Sequence, residues 1–445
     1  MTLQEVTIEK MVNGGYGLGK LPSGKTVFVE GAYPGERVLV KLTRIKKDFS
    51  FAKTVTVLEP SPKRVIPPCP HFGVCGGCQW MDIDYEEQLA YKKNILEDTL
   101  KRIGKIEETV LPVVPSERIS RYRGKMEFSL SKDKYLGLKM RYSHKIVKIK
   151  RCEISPDIFN DILRNLRKLL DIFEIPIYDF ERKKGVLKHV VLRHAVSTNQ
   201  TMVIFVTKTE SFQEGKELAK KLKSAVPGIT SIIHVMNSKD SVVLRGPYRT
   251  LWGEGIILER FDWEEFQIPP TAFFQNNYWI TRKMLDHVYK ELNLEGNETV
   301  LDLYSGIGTF SIRTAKGARK VIAVESNRIS VKAGKSNASI NRVRNVNFVE
   351  DDVEDFLGSI DRRVDKVILD PPREGAGIEV MKHLLNLKPV RIVYVSCEPS
   401  TLARDLKVLV EGGYSIEKIQ PFDMFPHTFH VETVVTLSRR ERSRC

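Results

Sequence analysis

Residues 301–310 read LDLYSGIGTF, and they decide the fold. The apolar run ETVLDLYS (298–305) ends in a turn carrying Gly306 and Gly308, and a helical pattern opens at Thr309. Strand, glycine turn and helix form the unit of an α/β sheet, and glycines there let the backbone approach a ligand closely. The same texture recurs downstream in KVIAVES (320–326), VNFVEDD (346–352), DKVILDPP (365–372) and RIVYVSC (391–397). Only the last two runs, YSIEKIQPFDMF (414–425) and HVETVVTLSR (430–439), have no helix between them. Alternating βα units predict a doubly wound parallel sheet, Rossmann-like, with an antiparallel hairpin closing one edge. Ligands in such sheets sit at the carboxyl ends of the strands.

The polar residues at those ends suit a nucleotide. Glu325 lies nineteen residues after Gly306 and ends a strand, where a carboxylate can take two ribose hydroxyls. Asp351 and Asp352 end the next strand. In a dinucleotide fingerprint the third glycine would fall at Ser311, and no basic residue stands ready for a pyrophosphate. S-adenosylmethionine needs no pyrophosphate pocket and tolerates this turn. A nicotinamide cofactor and a turn with incidental glycines are the other readings.

LDPPREG (369–375) ends the fourth strand. Its two prolines stiffen the turn and fix the Asp370 carboxylate above the sheet. Methyltransferases of exocyclic base nitrogens carry an aromatic residue after such a turn; Arg373 stands here instead, so another activation of the acceptor is needed. Cys397 follows RIVYVS and begins the helical pattern STLARDLKVL, where a helix amino terminus favours a thiolate. Glu432 is brought back by the final hairpin. A thiolate added to carbon 6 of uracil makes carbon 5 nucleophilic, and a base must then remove the carbon-5 proton. Cys397 and Glu432 fit those two roles; a buried core thiol and an exposed strand residue are the bland alternatives.

Outward from this region, the first sixty residues show short alternating runs and glycine turns such as NGGYGLGK, which predict a small β-barrel. Tyr16, Arg44, Phe49, Phe51 and Lys53 interleave cationic and stacking side chains there, as on an OB-like RNA-binding surface. SPKRVIPPCP (61–70) breaks the pattern with four prolines. A helix is expected over 84–102, and strands and helices mix up to about residue 265 in an α+β region. The 445-residue chain carries 71 Lys+Arg against 56 Asp+Glu, a net +15 that suits a polyanionic partner. No run of about 18 apolar residues and no signal-like start appear, so a cytoplasmic protein off the membrane is expected.

LDLYSGIGTF, TAFFQNN, VILDPPREG, VSCEPSTLARDL and DMFPHTFHVETV, in this order, resemble the RNA uracil-5-methyltransferase family. The amino-terminal barrel resembles the TRAM domain found in many members. The resemblance implies an S-adenosylmethionine-dependent enzyme with Cys397 as nucleophile and Glu432 as base. It implies that Gln275, Tyr304, Thr309, Glu325, Asp352 and Asp370 line the cofactor site. The family often has Cys where Ser305 stands and Asn where Thr309 stands. The implied division is a barrel over 1–60, a central domain over 61–265 and a catalytic domain over 266–445.

CPHFGVCGGC places Cys69, Cys75 and Cys78 together, with Cys152 the only other cysteine before the catalytic region. Four thiolates can hold zinc or a 4Fe–4S cluster. Three clustered ligands plus a distant one, and the same spacing in the iron–sulfur branch of the family, favour the cluster. Large-subunit ribosomal RNA is the first expected substrate and the T-loop uridine of transfer RNA the second. A monomer with no obligate protein partner is expected, and a noncatalytic RNA-binding protein is the more distant alternative. Cys445 reads as an idle terminal thiol.

Overall fold

The computed structural model describes residues 3–239 and 244–440; Cys445 lies outside them. Five strands, Gln4–Val12, Tyr16–Lys20, Thr26–Glu30, Arg37–Ile45 and Phe49–Glu59, close into a barrel, the first pairing with both the second and the fourth. Alternate residues point inward, so Val27, Val29, Val38 and Val40 are fully buried. The helix Tyr85–Thr99, extended by a π-helical turn Leu100–Gly104, packs between the barrel's first strand and the helix Pro399–Glu411.

The middle of the chain builds a seven-stranded mixed sheet, covered by the helices Asp157–Ile172 and Gly215–Ala225. Phe159, Ile162, Leu166, Leu218 and Leu222 bury their side chains under it. A hairpin, Ile257–Phe261 with Glu264–Ile268, spans the position expected to divide the central and catalytic domains. Its Phe261 and Phe266 join Met202 of the central sheet to Met284 and Val300 of the catalytic region in one core.

The carboxyl-terminal sheet has the order Val346–Glu350, Lys320–Glu325, Thr299–Leu303, Lys366–Leu369, Arg391–Ser396, Glu432–Arg439, Tyr414–Phe422. The first five strands are parallel, and Glu432–Arg439 runs antiparallel to both of its neighbours, so the edge strand Tyr414–Phe422 points the same way as the first five. The order reverses between Thr299–Leu303 and Lys366–Leu369, which opens the crevice where such folds bind ligands. Among the described residues no helix is long and apolar enough to cross a membrane.

Candidate active site

Every parallel strand of this sheet ends in a polar residue on the same edge. Asp351 and Asp352 follow Val346–Glu350, Glu325 ends Lys320–Glu325, and Tyr304 follows Thr299–Leu303. Asp370 follows Lys366–Leu369, and Cys397 follows Arg391–Ser396. The last strand runs the other way, so its first residue, Glu432, returns to this edge.

The glycine turn is shaped for a ligand. Gly306 and Gly308 take positive φ of 56° and 85°, and Tyr304 joins them at 62°. A Cβ on Gly308 would meet the Phe348 ring at 2.7 Å, whereas nothing lies within 4 Å of one on Gly306. The turn is therefore packed behind and open in front. Glu325 accepts from Gly306 N at 3.0 Å and from Asn327 N at 2.7 Å, which fixes its carboxylate beside the turn. Ser311, in the place of a third glycine, donates its hydroxyl to the buried Asp302. The other Asp302 oxygen and Ser305 Oγ are buried with no hydrogen-bond partner in the described structure. Orphaned polar atoms behind an open turn fit a polar ligand such as S-adenosylmethionine. Thr309 begins the helix Thr309–Ala315, and Asp352 caps Val353–Ser359 through Glu354 N at 2.9 Å. Gln275 lies elsewhere in the geometry: it lines a small cavity with Lys125, Arg193 and Glu259 beside the central sheet.

Cys397 and Glu432 come together. Ser396 pairs with Thr433, and the same antiparallel register carried one residue further sets Cys397 opposite Glu432. Burial, then Glu432, push the Cys397 thiol up to about 12, with Arg373 opposing. Burial, then Asp370, hold the Glu432 carboxyl well above its usual range, again against Arg373. Burial, then Asp302, push Asp370 up to about 7. Against the expected pull of the helix end, whose field acts only over about one turn, stand burial and the acidic neighbours Glu432, Asp370 and Glu398, all of which raise the thiol. Arg373, which stands where an aromatic residue would follow such a turn, is the cation that opposes the rise of both Cys397 and Glu432.

Two supports of the site were not visible as motifs. The helix Pro399–Glu411 grips the Asp370 turn from one face: Thr401 Oγ1 donates to Arg373 O at 3.1 Å and Arg404 to Glu374 O at 3.0 Å. Asp405 accepts from Ala376 N at 3.0 Å and from the Tyr394 hydroxyl at 2.6 Å. The i, i+3, i+4 spacing of these three polar residues is the signal that could have revealed it. The segment leading to Glu432 is held by the helix Tyr85–Thr99. Lys92 and Asp423 form a fully buried ion pair, Lys92 Nζ also donates to Phe425 O at 3.0 Å, and His427 N donates to Gln88 Oε1 at 2.8 Å.

Cys69, Cys75, Cys78 and Cys152 line one cavity of about 280 Å³ together with Met81 and Ile149, and all four are free thiols. Burial raises the thiols of Cys75, Cys78 and Cys152. Among the described residues no group of three or more His, Cys, Asp or Glu side chains is set to hold a metal ion.

The sheet, its switch point and the row of strand-end residues are those of an S-adenosylmethionine-dependent methyltransferase, and comparison with known proteins makes it an RNA methyltransferase. A family model described as tRNA (uracil-5-)-methyltransferase matches residues 84–440, and the TRAM domain model matches residues 2–55. The chain belongs to the tRNA (uracil-5-)-methyltransferase family. It is 59% identical over 440 residues to an "uncharacterized RNA methyltransferase" of Thermotoga maritima, covering 99% of this chain and 100% of that one. A relative from Halalkalibacterium halodurans with a similar description is 37% identical, over 97% of this chain and 96% of its own. Among solved structures, the Pyrococcus abyssi tRNA (uracil-54, C5)-methyltransferase in complex with S-adenosyl-L-homocysteine is similar at a TM-score of 0.78 and 31% identity. That match covers 97% of this chain and 100% of that one.

Proposed function

We propose that this protein methylates carbon 5 of a uridine in RNA, with Cys397 as the nucleophile and Glu432 as the base. The observation that carries the reading is the register that sets these two side chains opposite one another beside Asp370. The Cys397 thiol gives its proton to solvent, the thiolate sulfur bonds to carbon 6, and the ring's electron pair moves towards carbon 5. S-adenosylmethionine, bound near Tyr304, Thr309, Glu325, Asp352 and Asp370, supplies the methyl group as a sulfonium. Carbon 5 takes that methyl, and S-adenosylhomocysteine leaves with the sulfur's electron pair. Glu432 then removes the carbon-5 proton, the double bond re-forms, and the carbon–sulfur bond breaks. A carboxyl held well above its usual range is a strong base once ionised, and Arg373 favours that ionised form.

The uridine must be unstacked to expose carbon 6. The preference for large-subunit ribosomal RNA rested on the barrel and cysteine site occurring together. Similarity over 97% of this chain to a structure described as a tRNA (uracil-54, C5)-methyltransferase supports transfer RNA instead. Transfer RNA is therefore the first substrate to test and ribosomal RNA the second. The four cysteines are proposed to hold a 4Fe–4S cluster, a reading that rests on their spacing in the sequence and on all four lining one cavity.

The test incubates the full chain with S-adenosylmethionine and 5-fluorouridine-containing transfer RNA or 23S RNA. A covalent adduct with one of them, lost in Cys397→Ala, is expected. Normal methylation by the alanine variant would sink the mechanism.

A further inference from the structure

We infer that the first turn of the barrel, Asn13–Gly14–Gly15, belongs to the active-site scaffold, Asn13 and Gly15 holding the Cys397 and Glu432 segments in place. The inference rests on the functional reading above only for the identity of those two segments.

The turn's conformation comes from its sequence. Gly14 and Gly15 take φ of 87° and 74°, a region that side chains disfavour. Asn13 Oδ1 accepts from Gly14 N at 2.8 Å, which folds the asparagine back on its own turn. Its amide nitrogen is left facing outward and donates to Glu398 Oε1 at 2.8 Å, across 385 residues of chain. Glu398 directly follows Cys397. The same Glu398 oxygen accepts from Ser400 Oγ at 2.7 Å and Ser400 N at 3.4 Å, so it caps the helix Pro399–Glu411. That helix grips the Asp370 turn. Asn13 thus braces the residue linking the candidate nucleophile to its supporting helix.

Gly15 acts on the other segment. It is buried, and a Cβ there would fall 2.9 Å from Phe429 Cδ1 and 3.1 Å from Phe429 Cβ. The Phe429 ring therefore rests on bare backbone, three residues before Glu432, with the His430 ring 4.2 Å away between centroids. Arg141 closes the arrangement from the central domain. It donates to Gly14 O and lies over both Tyr16, at 5.0 Å, and Phe429, at 6.0 Å. One three-residue turn thus touches both segments that carry the reacting side chains.

A plain interdomain contact would affect stability or RNA affinity but leave Cys397 itself unchanged. The full-length protein, Asn13→Ala, Glu398→Ala, the double variant and Gly15→Ala are compared in two measurements. The first is the rate of iodoacetamide alkylation at Cys397 without RNA, followed by peptide mass spectrometry beside the melting temperature. In Asn13→Ala the rate is expected to rise at least threefold at an unchanged melting temperature, with no further rise in the double variant over Glu398→Ala. The second is steady-state methylation. Asn13→Ala and Gly15→Ala are expected to lower kcat about tenfold while KM for RNA stays within twofold. Unchanged alkylation, an additive double variant, or an effect on KM alone would overturn the inference. Should the parent chain methylate no RNA, the assigned reaction fails, and the alkylation cycle still decides the turn.

Discussion

Cys397 and Glu432 face each other one step beyond the Ser396–Thr433 pair, where Arg391–Ser396 meets Glu432–Arg439, the strand that runs against both of its neighbours. A seventh parallel strand would have placed its first residue at the opposite edge, a strand length away. The helix-free return from Tyr414–Phe422 to Glu432–Arg439 is what delivers a carboxylate to the thiol. The antiparallel edge is thus a requirement of the two-residue chemistry.

Glu432→Gln separates the two halves of the proposed reaction. The amide keeps the shape but cannot take the carbon-5 proton, so methyl transfer should proceed and elimination should stall. A covalent RNA–protein species containing the methyl group should accumulate on denaturing gels. Turnover should fall by about 10² or more, the usual contribution of a positioned general base. Turnover within tenfold of the parent would remove Glu432 from that role.

The buried acids set the pH dependence of stability. Burial lifts Asp302 and Asp370 to about 7, and Glu432 is also raised, while unfolded carboxyls titrate near 4. His427 and His234 are lowered to about 4 and His430 to about 3 by burial. Below about pH 6.5 the two groups oppose each other, because the unfolded histidines there bind more protons. Above about pH 7.5 the histidines are neutral in both states and the raised acids remain. The folded chain then holds more protons than the unfolded one, so stability falls as pH rises from about 7.5 to 8.5. Thermal melts should show that fall, reduced in Asp370→Asn and reduced by S-adenosylmethionine, whose cationic centre pairs with the ionised form. A melting temperature that climbs steadily across this window would contradict the assignment.

Much of this was legible in the sequence, and the reason is local. Strand-turn-helix texture at LDLYSGIGTF and the absence of a helix before HVETVV determine the sheet's order class and its antiparallel edge. The cysteine spacing marked four thiols that line one cavity. What could not be read was anything depending on long-range desolvation. The thiol of Cys397 rises because it is buried and because Glu432 and Asp370 arrive from distant positions in the chain, and a helix-end argument sees none of this. Nor could Lys92 be recognised. In YKKNILED it looks like one more solvated lysine, yet its side chain is fully buried against Asp423.

That ion pair is expected to be costly to break. Lys92→Met leaves the Asp423 carboxylate buried with only the Tyr85 hydroxyl, which donates to it at 2.7 Å. Removing one member of a buried pair typically costs about 3–5 kcal/mol. Denaturant unfolding should register a loss of that order. Hydrogen exchange should also show faster opening of residues 424–431, which Lys92 and Gln88 tie down. A stability change below about 1 kcal/mol, the range of an exposed pair, would mean that the pair is solvated.

The cysteine site reaches the same segment from the other side. Gln79 N and Trp80 N both donate to His427 O, at 2.9 and 3.0 Å, immediately after Cys78. Whatever organises the four thiols therefore also fixes the approach to Glu432. Protein prepared without oxygen should carry about four irons per chain and a visible charge-transfer absorbance, as a Cys-ligated 4Fe–4S cluster gives. Cys78→Ser should lose both and should speed hydrogen exchange at 424–431, while the barrel, which draws its core from Val6, Val27, Val29, Val38 and Val40, keeps its protection. Stoichiometric zinc without iron would replace the cluster with a single ion. Unchanged exchange in Cys78→Ser would show that the thiols act only on their own loop.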